Sequence, residues 1–163
     1  MQKLFLEDLQ VGDRFFSSEY VLTAEKLLNF AQVYDPQLFH LDPLAAEKHP
    51  VFHDLAGSGW QTSAIMMRLC TECFPVAGGL LGINAEVKWK KPTRINDRLR
   101  IEIELLSIRP SNHRPAQGYV SYQTITKNQH DEVVMEATAT ILVWSKSATT
   151  IQDYLDYEQY LDS

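Results

Sequence analysis

Hydrophobic and polar positions follow two different periods in this chain, helical in its first half and alternating in its second. Thr23 is placed to cap a helix, with Ala24, Leu27, Leu28, Phe30 and Ala31 following at near-helical spacing. Asp35-Pro36 closes that run, because the residue before a proline is pushed out of the α region. The segment from Tyr34 to Gly59 is turn-rich, with further breaks at Asp42-Pro43 and His49-Pro50. A short helix fits between Pro43 and about Lys48, with proline in its first turn. A longer helix starts at Ser58 or Gly59 and reaches about Cys73. Only Arg68 interrupts Ala64, Ile65, Met66, Met67 and Leu69, which predicts burial over most of its circumference. Phe74-Pro75 and Gly78-Gly79 end it.

Beyond the glycines the period becomes two. Ile83, Ala85, Val87 and Trp89 alternate with Asn84, Glu86, Lys88 and Lys90, and Leu99, Ile101, Ile103 and Leu105 alternate with charged residues. Tyr119 to Lys127 is rich in aromatic and β-branched residues, and Val133, Met135, Ala137, Ala139, Ile141 and Val143 alternate again. Such patterns predict antiparallel strands with one buried face. Turns fall at Pro92 to Asp97, Arg109 to Gln117 and Asn128 to Asp131. With an early strand over Asp13 to Leu22, the expectation is an α+β domain over residues 1–148. One long apolar helix lies beside a five-stranded antiparallel sheet, and the last four strands form a meander. Residues 149–163 form an acidic, Tyr-rich tail in which Ile151, Tyr154, Leu155 and Tyr157 suggest a docked helix.

Composition narrows the function classes. A chain of 163 residues, 45% hydrophobic and 22% charged, suits one soluble domain. The net charge of −6 argues against a general nucleic-acid binder. Lys88, Lys90, Lys91, Arg94, Arg98 and Arg100 cluster locally, and two readings stay open for them: a solvated strand face, or contacts to the phosphates of a nucleotide-bearing substrate. No stretch approaches the roughly 20 apolar residues of a membrane span. The first eight residues turn acidic too soon for a signal peptide, so a cytoplasmic location is expected. Cys70 and Cys73 are the only cysteines and provide no disulfide framework.

Two stretches can carry chemistry. Tyr34 to Asp42 sets Asp35 and His40 five positions apart across a proline turn, which can fold a carboxylate and an imidazole into one small volume. Such a pair serves as general acid and base near neutral pH. The second stretch, Leu55-Ala56-Gly57-Ser58-Gly59-Trp60, opens the long helix, where glycines permit close backbone approach and free N–H groups favour developing negative charge. A plain helix start, with Ser58 as N-cap, explains the same residues.

Together these stretches resemble the MaoC-like dehydratases, (R)-specific enoyl-CoA hydratases among them. The likeness is most specific from Asp35 to Trp60 and extends loosely from about Val11 to Trp144. It includes Val87-Lys88-Trp89-Lys90-Lys91-Pro92-Thr93-Arg94 and Asn96-Asp97, which look like the family's strand ending in a Pro-x-x-x-x-Asp turn. The resemblance implies a hotdog fold, a long central helix wrapped by an antiparallel sheet, usually dimeric. It implies hydration of trans-2-enoyl thioesters, or dehydration of 3-hydroxyacyl ones, by Asp35 and His40, with the Gly59 N–H as oxyanion hole. Gln37, Ser58 and Trp60 are the expected substrate contacts. No cofactor and no metal are implied; coenzyme A or acyl carrier protein would enter as part of the substrate. The family's motif reads Gly-Asp-x-Asn-Pro-hydrophobic-His. Here Tyr34, Gln37 and Leu38 replace its Gly, Asn and Pro, and a proline stands instead at Pro36.

Rival readings remain open at this level. A hotdog acyl-CoA thioesterase would place a carboxylate on or near the central helix, where Glu72 is the only acid. A non-catalytic acyl-thioester-binding protein would keep the fold alone. Cys70 and Cys73 with His49 and His53 offer four zinc-ligand types in an unusual order, and packing is the simpler account. Asp42, His53 and Asp54 are expected as turn residues or as the rim of a pocket.

Overall fold

A computed structural model describes residues 2–161. The expected early strand is divided in two, β1 (Arg14–Phe16) and β2 (Tyr20–Val21). Ser17 makes the break. Its hydroxyl accepts from the Ile101 N–H at 2.9 Å while its own N–H donates to the Ile101 carbonyl at 3.1 Å. A side-chain oxygen thus stands in for a backbone carbonyl, and the main chain leaves the ladder until Tyr20.

α1 (Ala24–Tyr34) starts at Thr23, which accepts from the Lys26 N–H, and stops at Asp35. A single turn, α2 (Leu38–Leu41), follows within the stretch read as irregular; four residues are too few to show a period. α3 (Pro43–Lys48) is capped by Asp42, whose carboxylate accepts from the Leu44 and Ala45 N–H groups. α4 (Gly59–Cys73) has Ser58 as its N-cap.

The remaining strands are β3 (Leu81–Trp89), β4 (Arg98–Pro110), β5 (Gln117–Lys127) and β6 (Val133–Trp144). The sheet runs β1-β4-β5-β6-β3, with β2 also on β4, and every pairing is antiparallel. The expected four-strand meander is therefore a three-strand one. β3 pairs with β6, from Leu81↔Leu142 to Trp89↔Met135, because β1 and β2 occupy the other edge of β4. The Lys90–Asp97 connection must then cross the width of the sheet. It passes the start of α4, where the Thr93 carbonyl accepts from the Gly57 N–H at 2.8 Å.

Ile65, Leu69 and Cys70 of α4 join one core cluster with Ile101, Ile103 and Leu105 of β4, Val120 and Tyr122 of β5, and Met135 and Ile141 of β6. Truncating a side chain such as Leu69 in a core of this kind costs about 2–5 kcal/mol. Two expectations of burial fail. Trp60, Ala64, Met67 and Arg68 of α4 are exposed, and along β3 only Val87 packs on the core. β3 is an edge strand, paired only with β6 among the described residues and met by α4 at Trp89, so its alternation does not translate into burial.

The tail is helical. A 3₁₀ turn (Thr149–Ile151) leads into α5 (Gln152–Leu161), with Ile151 buried, Leu155 half-buried, Tyr154 and Tyr157 exposed, and Glu158 paired with Lys3 at 2.6 Å. No helix among the described residues is long and apolar enough to cross a membrane.

Candidate active site

Asp35 and His40 lie together. The end of α1 leaves Asp35 outside both the helical and the extended regions (φ −150°, ψ 66°), and its carbonyl accepts from the Gln37 N–H at 2.8 Å, which turns the chain into α2. That single helical turn brings His40 back, with Nε2 3.2 Å from Asp35 Oδ2. Two side chains fix the carboxylate. Ser58 Oγ donates to Oδ2 at 2.6 Å and Gln37 Nε2 donates to Oδ1 at 2.7 Å. Burial is the strongest single influence on Asp35 and pushes its pKa upward. The hydrogen bonds from Ser58 and Gln37, with the adjacent His40, together outweigh it and hold the carboxyl below its ordinary value. Asp35 is therefore an ionised group in a partly desolvated place.

The tautomer of His40 follows from its other contact. Nδ1 lies 2.7 Å from the Ala56 carbonyl, which can only accept, so Nδ1 carries a proton and donates. Nε2 is then the ring nitrogen that faces Asp35 and can take up or release a proton. The imidazole is only 4% exposed, with the Phe39 ring edge-on at 4.5 Å and Phe52 beyond it. Phe39 and Phe52 pack against each other and against His49.

Gly59 is the first residue of α4, so the helix offers its N–H no acceptor. A side chain there would collide with Trp89: a Cβ would lie 2.9 Å from the indole ring. At Gly57 a Cβ would lie 2.5 Å from Thr93 Oγ1. Both glycines are thus required by close packing at the helix start. Trp89 Nε1 donates to the Gly59 carbonyl at 2.8 Å, and the Trp60 ring stands edge-on to Trp89 at 5.0 Å. These groups line a cavity of about 450 Å³. Asp35, Gln37 and His40 line it together with Gly57 and Gly59 at the helix start, and Phe52, Trp60, Trp89 and Lys90 to Thr93 line much of the rest.

The expected site residues therefore separate into three kinds. Asp35, His40 and Gly59 share the cavity, and Trp60 stands exposed at its rim. Gln37 lines the cavity, but its amide is engaged by Asp35. Ser58 differs from the expectation of a substrate contact: it is wholly buried, and its hydroxyl is held between Asp35 and the Trp60 N–H. The sequence reading missed Phe52, Ala56, Trp89 and Thr93 as parts of this site. Trp89 and Thr93 reach it only because the connection after β3 crosses beside α4, which no local pattern reveals.

The basic cluster is largely paired. Lys88 meets Glu86 at 2.9 Å, Lys90 meets Glu136 at 3.1 Å, Lys91 meets Glu132 at 2.5 Å, and Arg98 meets Glu19 at 3.7 Å. Arg100 pairs with Asp131, and Arg94 is bound to backbone carbonyls. Only Lys90 and Lys91 of the six line the cavity. Asp42 caps α3, Asp54 accepts from the Leu55 N–H, and His53 is exposed with a left-handed φ of 55°. His49 Nδ1 accepts from the Val51 and Phe52 N–H groups. Among the described residues, no group of three or more His, Cys, Asp or Glu side chains is arranged to hold a metal.

Comparison with known proteins supports the same reading of the fold. The sequence profile of the MaoC like domain matches residues 10–129. The solved structure of the MaoC-like dehydratase from Rhodospirillum rubrum is 45% identical, covering 89% of this chain and 99% of that one, with a TM-score of 0.85. The unliganded R-hydratase PhaJ1 from Pseudomonas aeruginosa shares the fold at a TM-score of 0.74, with 22% identity over 88% of each chain. The uncharacterized protein YdeM of Bacillus subtilis is 27% identical over 140 residues, 85% of this chain and 97% of that protein. With a MaoC profile covering most of its length, and that family's sheet and central helix in its structure, the chain belongs to the MaoC-like family of hotdog proteins.

Proposed function

We propose that the protein is an acyl-thioester hydratase/dehydratase, adding water to a trans-2-enoyl-CoA or removing it from the 3-hydroxyacyl form. The observation that carries this reading is the 3.2 Å approach of Asp35 Oδ2 and His40 Nε2 on a cavity wall that also includes Gly59. With Nδ1–H bound to Ala56, Nε2 is the basic atom. It takes a proton from water as the water oxygen bonds to C3. The C2–C3 π pair moves through the conjugated system onto the thioester oxygen, where the Gly59 N–H and the α4 dipole stabilise the enolate. The ionised Asp35 stabilises the imidazolium thus formed. The enolate then collapses, and the imidazolium returns its proton to C2. The reverse sequence is dehydration.

Thioester hydrolysis fits less well. Glu72 sits near the far end of α4, paired with Arg68 at 3.0 Å, and Asp35 is the one carboxylate lining the cavity among the described residues. The decisive assay follows loss of the conjugated-thioester absorbance with crotonyl-CoA and longer enoyl-CoAs, in the wild type beside Asp35→Asn and His40→Ala. Wild-type turnover that collapses in both variants supports the reading. Thiol release without hydration would make it a thioesterase, and binding without turnover a carrier or regulator.

A homodimer belongs to this reading. Leu81, Ile83 and Trp89 of β3 and Trp60 of α4 form an exposed apolar edge around half-open backbone pairing positions. A second copy joining edge to edge would cover it. Light scattering should show twice the mass of one chain; a monomer would refute this part.

A further inference from the structure

Within the Pro92-x-x-x-x-Asp97 turn, Arg94 touches the loop that holds His40. Arg94 Nη1 donates to the carbonyls of Asp54 at 2.7 Å and Leu55 at 3.1 Å, and Nη2 donates to that of Phe52 at 2.8 Å. One residue earlier, the Thr93 carbonyl accepts from the Gly57 N–H at 2.8 Å. The carbonyl between these anchored points is that of Ala56, the acceptor for His40 Nδ1. The Ala56 N–H, in turn, donates to the Phe39 carbonyl at 3.3 Å. Phe52, which flanks the His40 ring, hangs from the same clamped segment.

Arg94 is itself fixed. Asp97, only 5% exposed, accepts from the Arg94 N–H at 2.7 Å through one carboxylate oxygen, and its other oxygen accepts from Gln129 Nε2 at 3.1 Å. Asp97 therefore shapes the turn, the turn aims the guanidinium, and the guanidinium gathers three carbonyls that would otherwise repel one another. A guanidinium suits this task because its planar fork presents several N–H donors in fixed directions; an ammonium is a single point.

We propose that Arg94 is a positioning residue for the proposed reaction: it holds the 52–56 segment so that Ala56 fixes the His40 tautomer with Nε2 as the basic atom. It touches no reacting atom in this scheme and acts through Ala56 and Phe52. The proposal rests on the hydratase reading for its kinetic consequences but not for its spectroscopic one.

The test compares wild type, Arg94→Ala, Arg94→Lys and a control, Arg98→Ala, which removes an equal charge from a surface pair. Melting temperature, kcat and KM for crotonyl-CoA, the pH profile of kcat/KM, and the ¹⁵N and ¹H signals of the His40 ring are measured on each. In wild type the Nδ1–H should be a single protected signal. Loss of the clamp should mix the two tautomers and lower kcat by about 10²-fold, the order expected for a misplacement near 1 Å. KM should move less than threefold. Arg94→Lys should recover the melting temperature more fully than kcat, and Arg98→Ala should stay within twofold of wild type. The proposal is overturned if Arg94→Ala leaves the His40 signals unchanged, whatever its activity, or keeps kcat within threefold. If wild type itself fails to hydrate enoyl thioesters, the hydratase reading falls, while the His40 signals still decide whether Arg94 sets the tautomer.

Discussion

Each end of α4 desolvates an ionisable group, Asp35 partly and Cys70 fully, and the two reach opposite chemistry. At the N-terminal end, Asp35 is desolvated but receives hydrogen bonds from Ser58 and Gln37 and faces His40, so its charge is favoured. At the C-terminal end, burial meets little compensation. It pushes the Cys70 thiol up to about 12 and the Cys73 thiol up to about 11, and raises Tyr122 as well. Thiols held neutral in this way are core packing and poor nucleophiles. Burial alone therefore does not make a reactive site. What distinguishes the N-terminal end is the supply of directed donors: the Ser58 hydroxyl, the Gln37 amide and the free N–H groups of the first helical turn.

The largest test of this contrast is His40→Ala. Loss of a general base in this scheme should lower kcat by about 10³-fold or more, read by enoyl-CoA hydration. Retained activity would remove the charged end of the helix from the mechanism. Gly59→Ala comes next. The added methyl must displace the Trp89 indole, shifting the helix start, so a drop of about 10²-fold is expected together with a changed tryptophan fluorescence spectrum.

Ser58→Ala should act more gently and in a diagnostic direction. Removing its hydrogen bond leaves the upward push of burial on Asp35 less opposed, so the acidic limb of the kcat/KM profile should move to higher pH. Lost capping should also cost about 1 kcal/mol of stability. The linkage has a definite sign. Asp35 is held below its unfolded value, so its ionised form adds stability above roughly pH 4 and loses it as pH falls through the folded value. Acid denaturation of the variant should therefore show a smaller contribution from this group. The smallest effect is expected at the other end of the helix. Native Cys70 and Cys73 should resist a thiol reagent at neutral pH, and Cys73→Ser should keep activity within twofold; rapid modification of the folded protein would break the comparison.

How much of this was legible in the sequence depended on range. The caps at Thr23 and Ser58, the proline stop after Asp35, and the helix from Pro43 to Lys48 are set by neighbouring residues, and they stand where local rules put them. The juxtaposition of Asp35 and His40 was also readable, because one turn of chain separates them. Ser58 was legible as a cap but not as the donor to Asp35, which lies 23 positions earlier. The basic cluster was visible as charge, yet only cross-strand carboxylates and the carbonyls of residues 52–55 show what each cation does.

What the sequence determined by itself was the kind of each longer element, though not the single turn α2, and the carboxylate–imidazole pair, since periodicity, capping and a tight turn act over a few residues. Tertiary structure alone decided that β3 leaves the meander for the far edge of β6, that Trp89 and Thr93 consequently reach the start of α4, and that Arg94 grips the loop behind His40. Strand pairing depends on which edges remain free after all the others have formed, and that is a property of the whole sheet.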